Sequence, residues 1–177
     1  MKGGETNLPT LNLTDYDEQQ TFEALPPGKY FATIFDAEDR ETQGGENAKM
    51  PEGTPMIFCH FMLTGKVGED AQGEDSPYYN RRAFRNLVIP PEDYDEKKRK
   101  SMNGMIVALY RAVGYTQEQI TSGEFEVDTE DLIEKDLVIQ LNRRRNKLSG
   151  EMENNVVGFF SVEAAAGAEA AASSGVL

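Results

Sequence analysis

Five apolar runs of period two, interrupted once by a run of period 3.6, constrain this chain more than any other feature. The first, Tyr30–Asp36, is aromatic and β-branched and follows a Pro-Pro-Gly turn. The second, Met56–Thr64, sets Ile57, Cys59, Phe61 and Leu63 on one face and Phe58, His60 and Met62 on the other. A strand apolar on both faces is either central or presents aromatics to a ligand. A third strand is expected over Tyr78–Ile89, closed by Pro90 and Pro91. The period then changes. Behind a Ser101 cap, Met102, Met105, Ile106, Leu109, Tyr110 and Val113 recur at helical spacing until Gly114 supplies a stop. A short helical turn near Thr116–Ile120 follows, and two further strands, Leu137–Arg143 and Asn155–Val162, flank a turn at Ser149-Gly150.

The order β-β-β-α-β-β is that of the OB-fold, a five-stranded, partly open Greek-key barrel with its one helix between strands three and four. The expected fold class is therefore mainly β. Two flanks fall outside that core. Residues 1–27 are polar and acidic and read as a flexible arm, while residues 164–177 are Ala-rich, low-complexity sequence that cannot bury enough apolar surface to offset ordering and read as a disordered tail. One OB domain over residues 28–163 remains. The 38% hydrophobic content of the 177 residues is lean for a globular chain, as two such flanks require.

An OB barrel usually presents its ligand surface on strands two and three, flanked by the loops joining strands one to two and four to five. This chain places Phe58 and His60 on the outward face of the second strand, Tyr78, Tyr79, Arg81, Arg82, Phe84 and Arg85 on the third, and Arg143, Arg144, Arg145 and Lys147 at the last hairpin. The formal charge of −13 argues against a surface that coats nucleic acid or anionic membrane throughout. The bases are nevertheless gathered: 11 of the 18 lie within residues 81–85, 97–100 and 143–147. Aromatics interleaved with arginine suit single-stranded nucleic acid, because bases offer flat faces for stacking and phosphates seek cations. Alternation divides the third strand, with Tyr78 and Phe84 sharing the parity of Arg82, and Tyr79 that of Arg81 and Arg85. Each of these aromatics is either a half-buried strand residue or a stacking platform. The run Lys97–Lys100 follows Asp93, Asp95 and Glu96 and reads as a locally compensated helix start, whereas Arg143–Arg145 has no acid nearby until Glu151 and reads as phosphate-facing.

Phe22–Glu38 with its Leu-Pro-Pro-Gly opening, Leu109–Gly114 at the helix end, and the hydrophobic strand Leu137–Leu141 resemble a family of bacteriophage single-stranded DNA-binding proteins, long catalogued as a domain of unknown function. The similarity spans roughly Phe22 to Phe160. It implies an OB-fold, no enzymatic activity, single-stranded DNA as partner, a role in phage DNA replication or recombination alongside the proteins of those processes, and residence in the cytoplasm of the infected host cell.

Other chemistries find little support in the residues. There is no phosphate-binding glycine loop, no nucleophile elbow and no metal-ligand spacing, so neither an enzyme nor a cofactor is expected. Cys59 is the one cysteine and His60 the one histidine; the first reads as a small buried hydrophobe, the second as a packing or stacking residue. Acids such as Glu130 and Asp131 read as solvent-facing. No run reaches the length of a membrane span and no apolar signal core is present, so no membrane partner is expected. The alternative reading is a phage structural or protein-interaction module that uses an OB-like barrel to dock another protein.

Overall fold

The structure, a computed structural model, describes residues 23–166. Its five strands are β1 (Gly28–Glu41), β2 (Pro55–Lys66), β3 (Arg82–Val88), β4 (Asp136–Arg145) and β5 (Met152–Phe160), with helices α1 (Glu96–Ala112) and α2 (Gln117–Thr121) between β3 and β4. They form one open sheet in the order β3-β2-β1-β4-β5, every neighbouring pair antiparallel. The mainly β class expected from the pattern is what is seen.

Alternation decides which way each strand faces. Ile57, Cys59, Phe61 and Leu63 of β2 are fully buried, as their spacing requires, and meet Tyr30, Ala32 and Ile34 of β1 and Leu137, Ile139 and Leu141 of β4 in one core. In β1 the register against β2 slips between Ile34 and Asp36. That irregularity reverses the parity beyond it, so Ala37 returns to the core, while Phe35 keeps the outward side that Tyr30, Ala32 and Ile34 set and is 51% exposed. The apolar face of α1, Ile106, Leu109 and Tyr110, completes the core from the side of β3 and β5. Tyr110 donates to the Asp128 carbonyl at 3.1 Å and meets Tyr115 and Phe125 edge-on, which fixes the long connection to β4.

The starts of the third strand and of the first helix differ from the sequence reading. The third strand starts at Arg82 rather than Tyr78, because Asn80 adopts a left-handed φ of 61°. Asn80 and Arg81 still hydrogen-bond through their backbones to Leu63, but residues 76–81 form successive turns. The helix starts at Glu96 rather than after Ser101: the Asp95 carboxylate caps it by accepting from the Lys98 amide, and Lys100 pairs with Glu96 at 2.7 Å. Its first turns are solvated, so no apolar period marks them. The run Lys97–Lys100 is accordingly part of a helix.

The expected arm, residues 1–27, lies outside the described residues up to residue 22; its last five are packed rather than loose. Leu25 is buried, its amide donates to Asn154 Oδ1 at 2.8 Å, and its carbonyl accepts from Arg143 Nε at 3.0 Å and Asn154 Nδ2 at 2.9 Å. Tyr30 donates to the Pro26 carbonyl at 2.5 Å. At the other end, residues 162–166 form a helical turn with Ala165 buried, so the ordered fold runs past the expected boundary at 163. The remainder of the expected tail, residues 167–177, lies outside the described residues.

Candidate nucleic-acid interface

The outward faces of β1, β2 and β3 carry a continuous row of rings. Antiparallel pairing sets His60 directly opposite Phe84, and their rings stack at 4.4 Å between centroids and 28° between planes. Phe58, two residues along β2 on the same face, stacks against Phe84 at 5.8 Å and 20°. Phe35 of β1 meets His60 edge-on at 5.1 Å. The row is therefore Phe35, His60, Phe84, Phe58, with Phe35 and Phe84 about half exposed and His60 shielded between them. A guanidinium stands at each end: Arg82 at 5.3 Å from the Phe35 ring centre and Arg40 at 3.7 Å from that of Phe58.

The electrostatics of the row follow from this shielding. His60 is held below its ordinary value of 6.5, first by burial and then by the Arg82 charge, against a smaller opposing pull from Asp36. Its Nε2 is buried with no hydrogen-bond partner. It is thus a neutral aromatic at neutral pH.

Beside Phe84 the edges of β3 and β5 face one another. Arg85 shares the inward parity of Ala83 and Leu87 and reaches across to donate from Nη1 to Asn155 Oδ1 at 3.0 Å, while its Nε is buried without a partner. Burial, and then the charge of Arg144, disfavours its protonated form. Next to this crossing lies a groove of about 950 Å³, walled by residues 80–86 on one side and by Arg144 and residues 151–155 on the other, with Glu23 and Ala24 at its end, so that its lining mixes arginines with the carboxylates of Glu23, Glu151 and Glu153.

The sequence-derived candidates divide into three groups. Phe58, His60, Arg82 and Phe84 are brought together on the outer face, and Arg85 joins them at the groove. A second group is committed to internal partners. Arg81 donates to the Glu23 carbonyl at 2.8 Å, Arg143 to the carbonyls of Ala24 at 2.7 Å and Leu25 at 3.0 Å, Arg145 to that of Gly150 at 3.1 Å, and Arg144 pairs with Glu153 at 2.7 Å. The Arg144 and Asn146 hydrogen bonds hold the Glu153 carboxyl below its usual range. A third group is elsewhere: Tyr78 turns inward and packs edge-on against Tyr30 at 5.2 Å, Tyr79 sits in the turn before β3, and Lys147 lies exposed in the last hairpin.

Sequence reasoning missed Phe35, Arg40 and Met152. Phe35 and Arg40 belong to β1, whereas the ligand surface of an OB barrel is expected on strands two and three. The alternation Tyr30, Ala32, Ile34 already marked Phe35 as outward. Met152, 44% exposed, opens β5 on the groove wall and carries no distinguishing pattern.

No family model and no curated protein matches the chain. Among the described residues no group of His, Cys, Asp and Glu side chains is arranged to hold a metal ion, and no helix is long and apolar enough to cross a membrane.

Proposed function

We propose that this protein binds single-stranded DNA without reading its sequence, on the outer face of β1–β3 and in the groove between β3 and β5, as an OB-type barrel. The row Phe35, His60, Phe84 and Phe58 with guanidinium groups at both ends carries this reading. Two half-exposed rings beside guanidinium groups, Arg82 without a carboxylate partner among the described residues and Arg40 paired with Glu38 at 2.7 Å, fit bases that stack and phosphates that need charge, and each stacked base contributes about 1–3 kcal/mol regardless of its identity. The barrel assignment is supported by the strand order, by the helix between β3 and β4 that packs against both edge strands, and by the Arg85 bridge between those edges. The resemblance to phage single-stranded DNA-binding proteins supplies the setting: phage DNA replication or recombination in the infected cell, with no catalysis by this chain.

Fluorescence anisotropy with a short mixed-sequence oligonucleotide tests the proposal. Binding is expected at low salt, and it weakens with salt at a log-log slope near −2, about −0.7 for each of Arg82, Arg85 and Lys147. If all seven basic candidates met phosphate, the slope would approach about −5. No binding at low salt overturns the reading. An RNA strand of the same sequence, run in parallel, tests the choice of DNA.

A further inference from the structure

The β4–β5 hairpin walls the groove and runs on past it. Arg144 on one arm and residues 151–155 on the other line the groove, whereas residues 145–150, at the tip, do not. Lys147 is three residues of chain from Arg144, no more than about 11 Å. At that tip Leu148 is 99% exposed, well beyond Phe35 at 51% and Phe84 at 53%, so the fold gains nothing from its aliphatic side chain. The backbone beneath it is nevertheless fixed. Asn146 accepts from the Leu148 and Ser149 amides through Oδ1 at 2.9 and 3.3 Å and donates from Nδ2 to Glu153 at 3.1 Å. Its carbonyl accepts from the Gly150 amide and its own amide donates to the Glu151 carbonyl, both at 2.8 Å. Gly150, with a φ of 76°, permits the turn that closes this set. The hairpin thus displays an apolar side chain to solvent from a braced tip, with Lys147 exposed beside it and without an ion-pair partner among the described residues.

The shapes of nucleic acid decide what fits such a tip at the end of a DNA groove. A single base stacks best on a flat ring, and the row on β1–β3 holds the rings. Leucine is instead among the apolar side chains that proteins wedge against the faces of paired bases. An open face of that kind occurs where a single strand becomes duplex, because the first base pair has no paired neighbour on one side. The contact is apolar, so it does not depend on the balance of arginines and carboxylates along the groove, and Lys147 needs only one phosphate.

We infer that the hairpin tip recognises the junction between single-stranded and duplex DNA, with Leu148 seated on the open face of the first base pair and Lys147 at a phosphate beside it. The inference rests on a single strand occupying the groove, and its test separates the two claims. The probes are an oligonucleotide, the same strand continued into a closed hairpin duplex as a 5′ or a 3′ overhang, and that duplex alone. A junction of one polarity is expected to bind about tenfold more tightly than the single strand, the effect of covering one leucine side chain, and the duplex alone to bind most weakly. Leu148→Ser should bring the junction down to the level of the single strand while leaving single-strand affinity and the urea midpoint unchanged, and Leu148→Met should keep the preference. The Leu148 methyl signals, identified by their loss in Leu148→Ser, should move upfield with the junction and stay in place with the single strand, as methyl groups do over the face of a base. Equal affinity for the single strand and both junctions, a duplex bound as tightly as a junction, a preference that Leu148→Ser leaves intact, or methyl signals that do not move overturns the inference, and single-strand binding keeps the DNA-binding reading standing. A dimer seen by light scattering and abolished by Leu148→Ser assigns the tip to a second copy and also overturns it. If neither single strand nor junction binds at low salt, both claims fall; if only the junction binds, the groove reading falls and the tip retains its role.

Discussion

Phe84 and Tyr78 show how one strand register separates an exposed ring in the proposed interface from a packed one. Both were candidates on the same parity, yet Phe84 is 53% exposed and stacks on His60, whereas Tyr78 is turned against Tyr30 by the left-handed Asn80. Phe84→Ala should weaken oligonucleotide binding by about 1–3 kcal/mol and lower stability by less than about 1 kcal/mol, and Tyr78→Ala should show the reverse order, read by anisotropy and urea unfolding. The left-handed residue was not legible because no glycine marks it. His60 supplies a pH dependence of determined sign. Its folded value lies below 6.5, so the unfolded chain binds the proton more readily. The stability this gives is fully present above 6.5 and is lost as pH falls through the folded value. Lowering the pH from about 7.5 to 5.5 should reduce the urea midpoint, and His60→Phe, which keeps a ring in the row, should make that decline shallower.

In sequence the β4–β5 hairpin reads as one basic patch, and the structure divides it among tasks. Arg143 shares the inward parity of Leu141 and anchors residues 24 and 25, Arg144 points outward to Glu153, and Lys147 stands free in the loop. Spacing alone does not show these roles, since the partners of Arg143 lie 118 and 119 residues away in sequence. Hydrogen bonds from a charged group contribute about 1.5–3 kcal/mol each, so Arg143→Ala should lower stability by at least about 2 kcal/mol, while Lys147→Ala leaves stability within about 0.5 kcal/mol and takes about 0.7 off the salt slope. Urea unfolding and a salt titration of binding distinguish the two. What was legible in these elements was the core: the alternation in β2 placed Ile57, Cys59, Phe61 and Leu63 inside, because a one-residue slip would expose all four.

Across the whole molecule, the order of elements is legible because the hydrophobic period changes only once, while the approach of β3 to β5 is not, since it depends on the twist of the sheet and on contacts such as the Arg85–Asn155 hydrogen bond between residues 70 apart in sequence. The net charge of −13 likewise conceals the candidate site, whose guanidinium groups stand at only a few positions on one face. The placement of Cys59 has a practical consequence. Its thiol is fully buried in the middle of β2, and burial first, then the charge of Asp36, pushes its pKa up to about 12. A thiol reagent therefore meets nothing reactive while the protein is folded. The rate of modification by such a reagent should remain low in native buffer, rise with urea in parallel with the unfolding equilibrium, and fall when a saturating ligand binds the folded state. A chain with one cysteine so placed contains its own clock for the opening of the core, and any ligand that slows that clock is identified as binding the folded protein without a label attached to either.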